Sequence, residues 1–271
     1  MQFDTVQSET DERGVCTVWL NRPEKHNAIS EQMIADLSAM ASDLRQSDAR
    51  VVVLAARGKS FCAGGDLTWM QAQMAAGSTT RAAGARALAV MLHSWNLLPQ
   101  PVIGRIHGNA FGGGVGLAAI CDVAVGVEGA LVGLTETKLG LIPATISPYV
   151  IARMGESRAR RVFMSSRKFS AQEAEQLGLL ASVVPAQVLD TAIDDEVLPY
   201  LSCAPGAVAA AKALARALGP KIDSQTIEMT VSALITQWES NEAEQGIAAF
   251  LSKTIPPDSD TEITVASDDF K

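Results

Sequence analysis

The chain has 271 residues, of which 48% are hydrophobic, and this is enough for one large domain with a substantial core. Thirty acidic and twenty-two basic residues give a formal net charge of -8 at pH 7, which would repel nucleic acids and anionic membrane surfaces. We therefore expect neither a nucleic acid partner nor membrane association.

The cysteines and the N-terminus point to a soluble protein of the cytoplasm. The cysteines lack the C-x-x-C spacing of metal sites, and each lies among apolar or small residues: Cys16, Cys62, Cys121 and Cys203. We expect reduced thiols in the core, with neither a disulfide nor a metal site. The first residues, MQFDTVQSETDERG, lack the basic and apolar regions of a signal peptide.

Predicted strands and helices alternate in the first half of the chain. The alternating segment GVCTVWLNRP predicts a half-buried strand that stops at Pro23. Ser30 is the predicted N-cap of an amphipathic helix over residues 31–45. Three short apolar runs are typical of strands buried on both faces: VVVLAA (51–56), PVIGRIHG (101–108) and DVAVGV (122–127).

Residues 69–98 hold two groups of apolar positions with Gly77 and Gly84 between them. This pattern predicts helical pieces around a mobile joint, which could form part of a substrate lid. From about residue 203 onward the pattern is helical, and such a segment needs to pack on the core or on another subunit. The acidic, proline-led residues at the end of the chain are expected to be disordered.

A second set of signals lies before that helical region. Ser170 and Glu173 in FSAQEAEQLGLL form a capping-box pattern at a helix start. Gly178 supplies the helix stop before ASVVP, a predicted strand.

Two glycine-bearing turns, SFCAGGDL (60–67) and HGNAFGGGVGL (107–117), each follow a buried-type strand. Glycine lets the backbone approach a ligand closely and aim its N–H groups inward, as an oxyanion hole requires. The second turn enters LAAICD, a predicted helix whose positive N-terminal end would add to the same field. Tight turns or close helix packing would explain the same glycines without any chemistry.

Glu136 lies in GLTETKLGLIP, among apolar and small residues about twenty positions after the second turn. In such surroundings a carboxyl group could be a base with a raised pKa, although a solvated or capping role would fit the same pattern. Asp66 and Asp122 are better interpreted as capping or turn residues. A Ser-His-Asp triad with His107 is not expected, because no G-x-S-x-G motif is present.

Five stretches together resemble the enoyl-CoA hydratase/isomerase (crotonase) superfamily: NRPEKHNA, SFCAGGDL, GNAFGGGVGLAAICD, ETKLGLIP and FSAQEAEQLGLLASVVP. The resemblance covers roughly residues 10 to 255. It implies an α/β fold, a crotonase-like spiral of ββα units over residues 1–200 that holds the acyl-CoA site. It also implies a C-terminal helical oligomerisation region, 201–256, that forms homotrimers or dimers of trimers, before a disordered tail at 257–271.

The resemblance implies a role for particular residues. The N–H groups of Gly65 and Gly113 would form the oxyanion hole, and Glu136 would be the principal acid/base. Coenzyme A, which is part of the substrate rather than a separate cofactor, would lie along the turn at 22–28. Its implied contacts are Lys25, Ala28, Ala63, Gly65, Asp66, Leu67 and Lys253.

One position departs from the family pattern, because the first catalytic glutamate of typical enoyl-CoA hydratases falls on Gly116. GLTETKLG resembles single-glutamate isomerases, whereas LGLIPATISPYV with GGGVGL is most similar to the methylglutaconyl-CoA and isohexenylglutaconyl-CoA hydratases of leucine and terpenoid breakdown. The resemblance therefore implies hydration of a branched dicarboxylic enoyl-CoA, such as 3-methylglutaconyl-CoA. An enoyl-CoA double-bond isomerase and a catalytically weak acyl-CoA-binding protein are the alternatives.

A dicarboxylic substrate carries a second carboxylate, which calls for a cation or an amide cluster near the acyl end of the pocket. Several basic residues could serve, and the sequence does not choose among them: Arg81, Arg86, Arg105 and Lys138. Most of these are expected to be ordinary surface charges.

Overall fold

The computed structural model describes residues 3–252 and residue 254. Its strands are β1 (Val6–Thr10), β2 (Val15–Leu20), β3 (Val51–Ala56), β4 (Val102–Ile106), β5 (Ala110–Phe111), β6 (Val123–Val127), β7 (Leu131–Gly133), β8 (Lys168–Ser170) and β9 (Ser182–Val184). Its α-helices are α1 (Glu31–Gln46), α2 (Leu67–Ala75), α3 (Ser78–Asn96), α4 (Gly113–Ala119), α5 (Ser147–Met154), α6 (Glu156–Phe163), α7 (Ala171–Gln176), α8 (Leu189–Leu201), α9 (Pro205–Leu218), α10 (Ser224–Trp238) and α11 (Asn241–Ser252). The implied coenzyme contact at Lys253 and the expected disorder over 257–271 lie outside the described residues.

The described part of the chain contains two sheets. The larger has the strand order β1-β2-β3-β4-β6-β9, with an antiparallel β1–β2 pair and parallel pairing from β2 onward. The smaller has the order β5-β7-β8. All six residues of β3 are buried, because helices and loops cover both faces of a parallel strand. The α/β architecture confirms the predicted fold class.

The predicted helix starts are confirmed in α1 and α7. The Ser30 hydroxyl accepts a hydrogen bond from the Met33 N–H at 3.2 Å, so α1 begins after its predicted N-cap. Ser170 likewise accepts from the Glu173 N–H at 3.1 Å. The Glu173 carboxylate pairs instead with Arg167, at 2.6 Å, so the reciprocal half of the capping box is not formed.

Two predictions are wrong in detail. Gly77 separates α2 from α3, but Gly84 lies inside α3 and is no part of a joint. A Cβ at Gly84 would lie 3.2 Å from Oε1 of Gln73, so the glycine gives the Gln73 side chain room to pack on α3. Cys203 is exposed, whereas the other three cysteines are buried as expected.

Helices α10 and α11 pack on the rest of the chain, which is one of the two arrangements predicted. Helix α10 contacts α3 through a small apolar cluster that includes Ala85, Ala89, Ile227 and Val231. Helix α11 covers the loop after Glu136, where Ala243 and Ile247 meet Leu141. The helical region therefore forms one wall of the space between α2, α3 and the Glu136 loop.

Asp122 joins α9 to the sheet, in agreement with its predicted structural role. Its carboxylate accepts hydrogen bonds from the Val102 N–H at 2.8 Å, Lys212 Nζ at 2.5 Å and Arg216 Nη2 at 3.1 Å. Two cations and one amide on a single carboxylate fix the start of β4 against α9.

Neither a metal-binding cluster nor a single membrane-spanning helix occurs in the part of the chain that the structure describes. No three His, Cys, Asp or Glu side chains there are placed to hold a metal ion. The segments Ala186–Leu201 and Pro205–Leu218 meet the length and composition of a span only as a pair, with a bend of 105°.

Candidate active site

A cavity of about 460 Å³ opens where the glycine turns meet α2, α3 and the C-terminal helices. Every predicted site residue within the described range lines it: Lys25, Ala28, Ala63, Gly65, Asp66, Leu67, Gly113 and Glu136. Apolar side chains from the helices complete the wall: Met70, Leu88, Leu234, Trp238 and Phe250. Sequence reasoning missed the last three, because nothing local to the C-terminal helices indicates which face meets the cavity.

Asn27 stabilises the turn that follows β2. His26 and Asn27 both have left-handed backbone conformations, which asparagine adopts more readily than most residues. The buried Asn27 side chain accepts from the Arg22 N–H at 2.8 Å and donates to the carbonyls of Arg57 and Ser60, at 2.8 and 2.9 Å. These bonds fix the turn on which Lys25 and Ala28 lie at the cavity.

The first glycine turn pairs with the segment before α1. The Ile29 N–H donates to the Gly64 carbonyl at 2.7 Å, and the Asp66 N–H donates to the Ile29 carbonyl at 2.9 Å. In this parallel pairing the intervening Gly65 directs its own N–H away from Ile29. Within the described part of the chain this amide has no hydrogen-bond acceptor, so it can donate to a ligand in the cavity that Gly65 lines.

The second glycine turn contacts the first. Gly112 has φ +49° and donates its N–H to Gly133, after which α4 begins at Gly113. A Cβ at Gly112 would lie 3.7 Å from the Gly64 Cα, so the two turns touch. As the first residue of a helix, Gly113 has an N–H without an intrahelical acceptor. Both predicted oxyanion donors therefore lie on adjoining turns of one cavity wall.

The Glu136 carboxyl group lies directly against the second turn. A Cβ at Gly112 would be 3.1 Å from Glu136 Oε1. The other oxygen, Oε2, is buried and has no hydrogen-bond partner among the described residues. Burial raises the pKa of Glu136 to about 7, against a smaller lowering by its own backbone N–H. Near neutral pH this group can both accept and deliver a proton, as acid/base catalysis requires.

The loop that carries Glu136 is fixed from two sides. On one side the Lys138 N–H donates to Ser166 Oγ at 3.0 Å. On the other, Gln237 of α10 donates to the Gly140 carbonyl at 2.9 Å. Sequence reasoning missed Ser166 and Gln237, whose partners are distant in the chain and leave no local signal.

Asp66 and His107 do not form a catalytic pair. Asp66 caps α2 and forms a 2.9 Å ion pair with Arg22. Although burial opposes its ionisation, hydrogen bonds from Arg22 and two amides hold the pKa of Asp66 below its usual range. His107 contacts the Gly58 carbonyl and is not part of the cavity lining. Asp66 thus stays ionised as a structural cap, as predicted.

The place of the family's first glutamate is filled by another side chain. A Cβ at Gly116 would lie 2.4 Å from Ile146 Cγ2 and 3.0 Å from Ile146 Cβ. Both residues are buried. Ile146 therefore occupies the space that a glutamate side chain at position 116 would need.

Comparison with known protein families identifies the family of this chain. The sequence model of the family described as enoyl-CoA hydratase/isomerase matches residues 10–260. The chain belongs to this family. It is similar to a putative enoyl-CoA hydratase of Thermus thermophilus, with 32% identity over 249 residues that cover 89% of this chain and 96% of the relative.

Solved structures agree with this assignment. An enoyl-CoA hydratase from Shewanella pealeana is 34% identical, with a TM-score of 0.78 over 94% of this chain and 96% of that one. AtuE of Pseudomonas aeruginosa is 33% identical, with a TM-score of 0.77 over 93% of this chain and 98% of that one. The chain therefore has the crotonase fold and is an enzyme of the enoyl-CoA hydratase/isomerase type.

The buried Glu136 carboxyl group should make this hydratase/isomerase family member less stable as the pH rises. Its folded-state pKa of about 7 exceeds the ordinary value of 4.5, so the folded protein keeps a proton that the unfolded chain has lost. This contribution is fully present below pH 4.5 and is lost as the pH rises through 7. Between pH 5 and pH 8, Glu136→Gln should gain about 2 to 3 kcal/mol in unfolding free energy relative to the unsubstituted protein. Urea denaturation at both pH values measures this, and parallel pH profiles would contradict it.

Proposed function

We propose that this enzyme hydrates a branched dicarboxylic enoyl-CoA, such as 3-methylglutaconyl-CoA. The observation that carries the proposal is the Glu136 carboxyl group, which lies against the second glycine turn of a largely apolar cavity. It has a pKa of about 7, and its Oε2 has no hydrogen-bond partner among the described residues. The other carboxyl groups that line the cavity are less suited to proton transfer, because Asp66 is paired with Arg22 and Glu24 is exposed.

In this mechanism the N–H groups of Gly65 and Gly113 bind the thioester oxygen and stabilise the enolate that forms. Glu136 removes a proton from water as the water oxygen bonds to C3. The electron pair of the double bond moves towards the thioester, and the same carboxyl group then delivers its proton to C2. One water adds across the double bond, and Glu136 returns to its starting state.

A double-bond isomerase is the second candidate. It is favoured by Ile146, which fills the space beside Gly116, so that no second carboxyl group lies there to share proton transfer with Glu136. In an isomerase the Glu136 carboxylate would remove a proton from C2 and return it at C4. The oxyanion hole would be the same.

The proposal also covers coenzyme A binding, the oligomeric state and the cellular location of the enzyme. Coenzyme A would arrive as part of the substrate, with Lys25 at its nucleotide end and no separate cofactor. Assembly into a trimer or a dimer of trimers is supported by apolar side chains exposed on the C-terminal helices: Leu214, Leu218 and Met229. A place in the cytoplasm suits the free cysteines.

Mass spectrometry of two separate reactions tests the chemistry. With 3-methylglutaconyl-CoA we expect a product heavier by one water, and no such product with the Glu136→Gln variant. With a 3-enoyl-CoA, a shift of thioester absorbance without a change of mass would identify an isomerase. If the first substrate is bound but not hydrated, the proposal is wrong.

A further inference from the structure

The guanidinium group of Arg81 is held at the cavity wall by the end of α2. Its Nε donates to the Gln73 carbonyl at 2.8 Å, and its Nη2 donates to the Met74 carbonyl at 3.2 Å. Arginine has five N–H donors, so these two bonds fix the group and leave others available. No carboxylate within residues 3–252 pairs with it.

The cavity that Arg81 lines is largely apolar. The lining also includes apolar side chains from α3 and the C-terminal helices: Ala85, Leu88, Leu234, Trp238 and Phe250. The Gln73 amide group is on the same wall, with Oε1 and Nε2 packed against Gly84. Arg81 is half-buried, and the α2 carbonyl groups that bind it supply only partial negative charges.

The other basic candidates lie elsewhere. Arg86 forms a 2.5 Å ion pair with Glu228, and Arg105 forms a 2.7 Å ion pair with Asp190. Lys138 is exposed and does not line the cavity. Of the four candidates, Arg81 alone is both in the cavity lining and without a carboxylate among the described residues.

The rise of α2 from the oxyanion turn to the carbonyl groups that bind Arg81 is comparable with the length of a short diacid chain. A Cβ at Gly65 would lie 3.4 Å from Met70 Sδ, so α2 begins beside the oxyanion turn. From Met70 to Met74 the helix rises by about 6 Å. The carbonyl groups that bind Arg81 lie at the far end of this rise. An acyl chain of five carbons extends by roughly 5 Å from C1 to C5.

We propose that Arg81, with the Gln73 amide group beside it, binds the distal carboxylate of the acyl chain. The inference deepens the proposed function and rests on it, since it makes one side chain responsible for the choice of a dicarboxylic substrate. A carboxylate here would receive charge-assisted hydrogen bonds from the guanidinium group.

The test compares two saturated, unreactive thioesters, glutaryl-CoA and butyryl-CoA, by isothermal titration calorimetry. Arg81→Met should weaken glutaryl-CoA binding by about tenfold or more, while butyryl-CoA binding changes by less than about threefold. Arg81→Lys keeps the positive charge but loses the paired N–H donors of the guanidinium group. Its affinity for glutaryl-CoA should lie between those of the unsubstituted protein and Arg81→Met. Gln73→Ala should give a smaller loss that is also confined to glutaryl-CoA.

Arg86→Met is the matched control, because it removes an arginine from the same helix outside the cavity. It should leave both dissociation constants unchanged. Equal weakening of both thioesters by Arg81→Met would show that Arg81 only stabilises α2, and no weakening of glutaryl-CoA would also overturn the inference.

These outcomes are separate from those of the proposed function, because saturated thioesters do not react. Hydration of 3-methylglutaconyl-CoA without selective binding through Arg81 would overturn the inference and leave the function. Selective binding through Arg81 without hydration would support the carboxylate site and contradict the function.

Discussion

Glu136→Gln should lower kcat on the enoyl-CoA substrate by about 10²- to 10⁴-fold, the usual contribution of a positioned acid/base. The amide has nearly the same shape as the carboxyl group but neither accepts nor delivers the proton. Because Oε2 has no hydrogen-bond partner in the described structure, the substitution breaks no bond made by that atom. We therefore expect a folded variant whose defect lies in the chemical step.

Steady-state kinetics and calorimetry with butyryl-CoA measure this effect. The loss should fall on kcat, while the dissociation constant of the unreactive thioester stays within about threefold, because the carboxyl group acts on the transition state. Glu175→Gln, which changes an exposed carboxyl group on α7, is the control and should leave both values unchanged. A Glu136→Gln variant that keeps most of its activity would mean that another group moves the proton.

Most strands of the larger sheet were predictable because they have local signals, whereas β1 and the smaller sheet were not predicted. VVVLAA becomes β3, and all its residues are buried between layers, as a continuous apolar run indicates. Ser30 marked the start of α1 because an N-cap acts on the N–H groups of the next few residues. Where the determining contacts are that local, sequence and structure agree.

The supports of the site have no such local signals. Asn27 bonds to Arg57 and Ser60, and the Glu136 loop is held by Ser166 and Gln237. Each of these bonds joins segments that only the fold brings together. The glycine turns indicated a close backbone approach, but the contact between them depends on how the two turns meet in space.

The choice among the basic residues shows the same limit. Arg81 and Arg86 both lie on α3, and five residues turn a helix by about 140°, so they project from different sides. Helix periodicity shows that the two arginines lie on different sides of α3, but it does not show which side faces the cavity. That orientation is set by the packing of α3 against α10, whose contacting residues are more than a hundred positions apart in sequence.

Gly116→Glu should destabilise the protein by about 3 kcal/mol or more rather than supply a second catalytic carboxyl group. The new Cβ would lie 2.4 Å from Ile146 Cγ2, and the carboxyl group would have to leave water without a prepared partner. Urea denaturation should show a lower midpoint with an unchanged slope.

Gly206→Glu is the control for that measurement. A Cβ at Gly206 meets nothing within 4 Å, and the residue lies at the start of α9, where a negative charge is favourable. This variant should be as stable as the unsubstituted protein. An equal loss in both variants would mean that the new charge, rather than the contact with Ile146, destabilises the fold.

A double-mutant cycle with Ile146→Ala identifies the cause of the loss at Gly116. Alone, Ile146→Ala should cost about 2 to 5 kcal/mol, because it leaves a cavity in the core. It also removes the Cγ2 atom that meets the new Cβ, so the double variant should be more stable than the sum of the two losses predicts. Additive losses would mean that unpaired burial of the carboxyl group is sufficient by itself. Positive coupling would show that Ile146 excludes a second glutamate by filling its space, which makes reliance on Glu136 a property of the packing.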